Sequence, residues 1–213
     1  MAFITIIDYG MGNLHSIAKA LEHVAGRDRV RVSSEHADIL AADRVVFPGV
    51  GAMRDCMSEL QRSGLDQVVL EVARSKPLLG VCLGMQALLD ASDENQGIEC
   101  LGIIPGKVTR FPPDIQDNGM HLKIPHMGWN QVQQEHDHPM WQNISTNSRF
   151  YFVHSYYAEP LADSDIAATT PYGIEFASVI ARDNVFAVQF HPEKSQHTGL
   201  SLLSNFVDWN GEC

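Results

Sequence analysis

The chain has 213 residues, 45% of them hydrophobic, and a formal charge of −11. This size suits one α/β domain, residues 1–213, with a sizeable core. No run of about 18 uncharged apolar residues is available to span a bilayer. The acidic balance argues against a general nucleic-acid binder, which needs a basic face against phosphate.

The opening stretch, Met1-Ala2-Phe3-Ile4-Thr5-Ile6-Ile7-Asp8, has no basic lead. It reads as a first strand over 3–7 and not as a signal peptide. Gly10-Met11-Gly12-Asn13 follows. It invites a dinucleotide-binding reading, which fails because His15 stands where the third Gly of G-x-G-x-x-G belongs. A tight turn with Asn13 capping a helix is favoured instead. Leu14, Ile17, Ala18, Leu21 and Val24 then recur at helical spacing. Strands are expected over 29–32 and 44–47, the latter ending in Pro48-Gly49-Val50-Gly51. Helices are expected over 52–61 and 65–74, and a strand over 78–81. This alternation predicts a parallel sheet with helices on both faces. After about residue 95 the pattern changes. Strand-like segments over 107–111, 129–132, 150–153, 174–180 and 185–190 are separated by turn-rich loops, which predicts an antiparallel extension. A last helix over 198–209 carries Leu202, Leu203, Phe206 and Trp209 on one side.

Gly80-Val81-Cys82-Leu83-Gly84 is the most informative segment. It has the form of a nucleophile elbow with cysteine as the nucleophile, set between the apolar run Pro77-Leu78-Leu79 and a helix-like run from Met85 to Leu89. The glycines let the chain turn sharply. A cysteine at a helix N-terminus meets free N–H groups and the helix dipole, which favour its thiolate. Cys56, Cys100 and Cys213 form no C-x-x-C pair, and each reads as structural or inert. The expected compartment is the cytosol, where thiols stay reduced. The histidines at 121, 126, 136 and 138 lack metal-ligand spacing, and neither metal nor cofactor is expected.

A thiolate needs a base and a group to orient that base. His191, at the end of an apolar strand in Val188-Gln189-Phe190-His191-Pro192-Glu193-Lys194, fits. The C-terminal ends of strands in such a sheet share the edge that bears the elbow. If the chain stays extended, Glu193 projects to the same side and can hold the imidazole. Cys82 is then nucleophile, His191 base and then acid, and Glu193 the orienting group. Taken alone, His191 reads more readily as a hydrogen-bonded strand-end histidine; the elbow and the trailing Glu193 turn the reading to a catalytic base. The Leu83 N–H is the natural oxyanion donor, with the Val50 N–H a second. An ordinary Gly-rich turn at 48–51 is the competing reading.

These residues resemble the class I, triad-type glutamine amidotransferases. Tyr9-Gly10-Met11-Gly12-Asn13-Leu14, Pro48 to Gly51, Gly84-Met85-Gln86, Pro125-His126-Met127-Gly128-Trp129-Asn130, Tyr151-Phe152-Val153-His154-Ser155-Tyr156 and Gln189 to Ser195 resemble the glutaminase subunits of imidazole glycerol phosphate synthases. The resemblance implies a flavodoxin-like fold. It implies that Cys82 attacks the side-chain amide of glutamine, giving ammonia and then glutamate through a thioester. It implies glutamine contacts from Gly49, Gly51, Gln86 and the backbone around His154, Ser155 and Tyr156. No second active site is legible to consume ammonia. The implied partner is a separate (β/α)8-barrel cyclase subunit, forming a heterodimer. With it the ammonia gives imidazole glycerol phosphate and an aminoimidazole carboxamide ribotide in histidine biosynthesis. Asn13, Trp129, Tyr151 and Lys194 match positions near that interface. Weak activity until the partner binds its nucleotide is implied too, and rotation of a peptide in the 48–51 loop is the expected switch. Three competing readings are the glutaminase of another synthase (for anthranilate or pyridoxal phosphate), a stand-alone γ-glutamyl hydrolase, and a catalytically silent binding protein.

Overall fold

A computed structural model describes residues 3–212; Met1, Ala2 and Cys213, the last expected to be inert, lie outside the described residues. The first half alternates as expected. Strand β1 (Ile4–Ile7) leads to helix α1 (Leu14–Ala25), β2 (Val30–Ser33), α2 (His36–Ala41) and β3 (Arg44–Gly49). Helices α3 (Met53–Ser63) and α4 (Leu65–Ala73) precede β4 (Leu78–Cys82) and α5 (Leu83–Gln86). The second half contains β5 (Gly106–Arg110), β6 (His126–Gln134), β7 (Ser148–His154), β8 (Tyr156–Pro160), β9 (Ile166–Pro171), β10 (Glu175–Arg182) and β11 (Val185–Val188), closed by α6 (Gln196–Asp208).

The parallel part of the sheet runs β2-β1-β3-β4-β11. Beyond β11 the pairing turns antiparallel, through β10 and β8 to β5. A branch from β10 continues through β9 and β6 to β7. Strand β11 is therefore the seam: parallel to β4 on one side, antiparallel to β10 on the other.

Strand alternation divides the core. Ile4 and Ile6 face the side covered by Ile17 and Leu21 of α1 and Leu202, Leu203 and Phe206 of α6. Ile7, Val45 and Phe47 face Met57, Leu60, Val68, Val69 and Val72 of α3 and α4. Helices thus cover both faces, as a parallel sheet with near-continuous apolar strands requires. Three of the elements named above were not anticipated. Helix α2 is six residues long, too short to show a period. Strand β9 has the small-residue sequence IAATTP. Strand β8 is cut from the aromatic block of β7 at Ser155.

Two expectations are corrected. Asn13 occupies the N-cap of α1 but makes no side-chain cap hydrogen bond. The helix after the elbow is one turn, Leu83–Gln86, not a run through Leu89. The carbonyls of Ala87, Leu88 and Leu89 instead accept from the N–H groups of residues 101–104. A single turn has little macrodipole, so the dipole support expected for a thiolate is small.

Candidate active site

Cys82 ends β4 at φ +54°, ψ −110°, a backbone state that a residue with a side chain holds only when its surroundings force it. The forcing contacts are visible. Register pairs Gly49 with Cys82, and a Cβ on Gly84 would lie 2.0 Å from the Phe47 carbonyl oxygen. Only glycine at 84 allows β3 and the elbow to approach this closely. Leu83 is the first residue of α5, so its N–H has no intrahelical acceptor. Across the cleft, the Tyr9 hydroxyl donates to the Pro48 carbonyl at 2.9 Å. Gly51 lies at φ +102°. The loop 48–51 is thus pinned on one side and glycine-hinged on the other.

His191 follows β11 and is held by its N–H donating to the Tyr151 carbonyl at 2.9 Å. Its Nδ1 meets Glu193 Oε1 at 2.8 Å, with both side chains only 3% exposed. The chain is not extended here, contrary to expectation. Pro192–Lys194 forms a 3-10 turn, for which proline at the first position is preset. The Ser195 hydroxyl closes this turn, donating to His191 O at 2.6 Å and accepting from Tyr151 N–H at 2.9 Å. His191 Nε2 is buried with no hydrogen-bond partner among the described residues. Burial works against an imidazolium, but Cys82 and Glu193 outweigh it and lift the His191 pKa to about 10.

A second set of contacts lies behind the sulfur. Gln86 Nε2 donates to the Tyr156 carbonyl at 2.9 Å and to Gln189 Oε1 at 2.8 Å. Both protons of the Gln86 amide are therefore spent inside the protein, leaving its Oε1 for a ligand N–H. Gln189 Nε2 reaches Cys82 Sγ at 3.7 Å. The Tyr156 carbonyl also accepts from His154 Nδ1 at 2.7 Å. That fixes the tautomers in sequence: His154 Nε2 accepts from His126 Nδ1 at 3.0 Å, and His126 Nε2 accepts from Asn130 Nδ2 at 3.3 Å. Burial holds both rings neutral, pushing His126 down to about 4 and His154 to about 3.

Cys82, His191, Val50, Gly51, Leu83, Gln86, His154, Ser155, Tyr156 and Lys194 line one cavity of about 350 Å³. Glu193 stands behind His191. Gly49 does not line this cavity. It is buried under Leu83 and the Tyr9 hydroxyl and borders a small hollow behind the loop, shared with Asn13, Val50, His191 and Glu193. Trp129 and Tyr151 pair across β6 and β7, with ring centroids 6.2 Å apart. Lys194 Nζ lies 5.9 Å over the Tyr151 ring. Sequence reasoning missed Glu94, which lines the cavity while one oxygen accepts from Met53 N–H at 2.8 Å. It also missed Tyr9, Gln189 and Ser195. All three sit inside motif blocks that carry the family resemblance, but no role is legible for them there.

The sequence matches the family described as "Glutamine amidotransferase class-I" over residues 5–209. It is 57% identical over 211 residues to "Imidazole glycerol phosphate synthase subunit HisH 1" of Pseudomonas aeruginosa, covering 99% of each chain. It is 59% identical over 211 residues to "Imidazole glycerol phosphate synthase subunit HisH" of Nitrosococcus oceani, again with 99% of each covered. Among solved structures, one described as a glutamine amidotransferase superposes with a TM-score of 0.71 at 14% identity, covering 96% of this chain and 99% of that one. PurLQS from Thermotoga maritima gives 0.71 at 14%, covering 98% and 99%. Those two likenesses speak for the fold. With a cysteine elbow facing a Glu-held histidine across one cavity, and a match from residue 5 to residue 209, the chain belongs to the class I glutamine amidotransferase family.

Proposed function

We propose that this chain is the glutaminase subunit of an imidazole glycerol phosphate synthase, releasing ammonia from glutamine for histidine biosynthesis. The observation that carries the reading is the meeting of Cys82, His191 and Glu193 on an amino-acid-sized cavity, in a chain 57% identical to a relative of that name.

Cys82 Sγ attacks the amide carbon of glutamine. The developing oxyanion is met by the Leu83 N–H, with the Val50 N–H as second donor. His191 takes the thiol proton as Sγ attacks; Nε2 then gives that proton to the departing amine, and ammonia leaves. The neutral ring then takes a proton from water, which attacks the thioester. Glutamate departs as His191 returns the proton to the Cys82 sulfur, and the free site is restored. Glu193 orients the ring and stabilises its charge throughout. Gln86 Oε1 and the Glu94 carboxylate face the cavity as acceptors suited to the substrate's ammonium. Gly51 and the backbone of residues 154–156 wall the same space, whereas Gly49 acts by letting the elbow approach. With Pro48 pinned by Tyr9 and Gly51 free to turn, the Val50 peptide is the proposed on–off element.

The partner in this reading is a separate (β/α)8-barrel cyclase, forming a cytoplasmic heterodimer. The exposed Met127 and Trp129 (61% and 42%), together with Tyr151, Lys194 and Asn13, supply the docking face. Among the described residues no helix is long and apolar enough to cross a membrane.

Glutamate release, assayed with and without the cyclase and its nucleotide ligand, tests the proposal. Activation only in the complex is expected. Full activity of the chain alone points to a γ-glutamyl hydrolase. Activation by an anthranilate or pyridoxal phosphate synthase partner overturns the subunit assignment.

A further inference from the structure

We infer that Gln189 is a thiolate-stabilising residue for Cys82, a role distinct from those of His191 and Glu193. This deepens the glutaminase reading and rests on Cys82 being its nucleophile. Gln189 is fully buried. It lies two residues before His191, so one strand end presents both an amide and an imidazole to the same sulfur. Its orientation is fixed at two points. Its backbone N–H donates to Ser178 O at 2.9 Å, and its Oε1 accepts from Gln86 Nε2 at 2.8 Å. With Oε1 taken, Nε2 has to face the other way, and it meets Cys82 Sγ at 3.7 Å.

The energetics favour a charged sulfur. A buried amide donor without a good acceptor is costly. A neutral thiol is a poor acceptor, whereas a thiolate forms a charge-assisted bond roughly twice as strong as a neutral one. A fully buried N–H aimed at sulfur therefore gains most when that sulfur is ionised. The anchor through Gln86 also matters. Gln86 is itself held by the Tyr156 carbonyl at 2.9 Å, so the donor cannot swing away to another partner. Substrate binding at Gln86 and activation at Cys82 thus share one amide chain.

The test is the pH profile of Cys82 alkylation by iodoacetamide in the full-length protein, read by peptide mass spectrometry. That method separates Cys82 from Cys56, Cys100 and Cys213. In Gln189→Met, which keeps the bulk and loses the donor, the midpoint rises by about one unit. In the complex, kcat for glutamine falls about 10-fold. Gln189→Asn keeps an uncharged amide but draws it one methylene back from the sulfur, and raises the midpoint by a similar amount. It decides the matter if the Met variant does not fold. A variant with lowered melting temperature and an unmoved midpoint gives Gln189 a structural role only and overturns the inference. The alkylation readout needs no turnover. The underlying nucleophile assignment fails separately, if Cys82→Ala retains glutaminase activity with its partner.

Discussion

The parallel and antiparallel halves of the sheet position their groups by different means. In the parallel half, backbone geometry does the placing. Cys82 is presented by a forced φ of +54°, next to a glycine that lets two strands nearly touch. In the antiparallel half, and at the seam on β11, side-chain hydrogen bonds do it. Gln86, Gln189, His154 and His126 are chained through the carbonyl of Tyr156. A site built from backbone tolerates changes of partner but not of shape. A site built from side-chain bonds tolerates changes of shape but not of protonation.

The largest expected effect tests the first half of that contrast. Gly84→Ala places a methyl 2.0 Å from Phe47 O, so β3 and the elbow have to part. A loss of more than about 3 kcal/mol in urea unfolding is expected, together with loss of glutaminase activity. A well-folded, active Gly84→Ala protein would show that the elbow is not shape-limited.

Glu193→Gln comes next. It preserves shape and removes the charge that orients His191. A kcat lowered by about 100-fold is expected, with little change in thermal stability. The sign of the pH effect follows from the raised His191 pKa of about 10. Removing an anion that favours imidazolium moves the alkaline limb of the kcat profile downward. A limb that stays in place would mean that Glu193 does not control the ring.

The His126–His154 pair tests the second half of the contrast. Their folded pKa values of about 4 and about 3 lie below the ordinary 6.5. Between those limits the unfolded chain binds more protons than the folded one. The pair's contribution is therefore present above pH 6.5 and is lost as pH falls towards 4. Urea midpoints at pH 7 and pH 5 should show the drop, and His126→Phe should flatten it. An equal slope in the variant would assign the acid sensitivity elsewhere.

The smallest effect is expected at the rim of the antiparallel half, where Lys107 Nζ and Glu159 Oε2 are 3.3 Å apart and well exposed. Lys107→Ala should change stability by less than about 1 kcal/mol. A larger loss, measured by thermal melting in low and high salt, would mean that this edge depends on charge more than its exposure suggests.

The parallel half, the elbow, and the pairing of His191 with Glu193 were legible in the chain's local pattern. Those features are local: apolar runs set strands and helices, glycines mark where the chain must turn, and two residues of one motif find each other over a short span. Even there the pattern misjudged how Glu193 reaches His191, because a 3-10 turn and an extended segment bring residues i and i+2 close in different ways. The rest arises from contacts between residues far apart in the chain. Gln189 contacts Cys82 across 107 positions, and Gln86 contacts Gln189 across 103. Glu94, Tyr9 and Ser195 likewise take their roles from partners on other elements. No pattern within one segment announces a hydrogen bond that exists only once the sheet has closed. Exclusion of Gly49 from the cavity follows the same rule, since a backbone position's exposure depends on what folds over it.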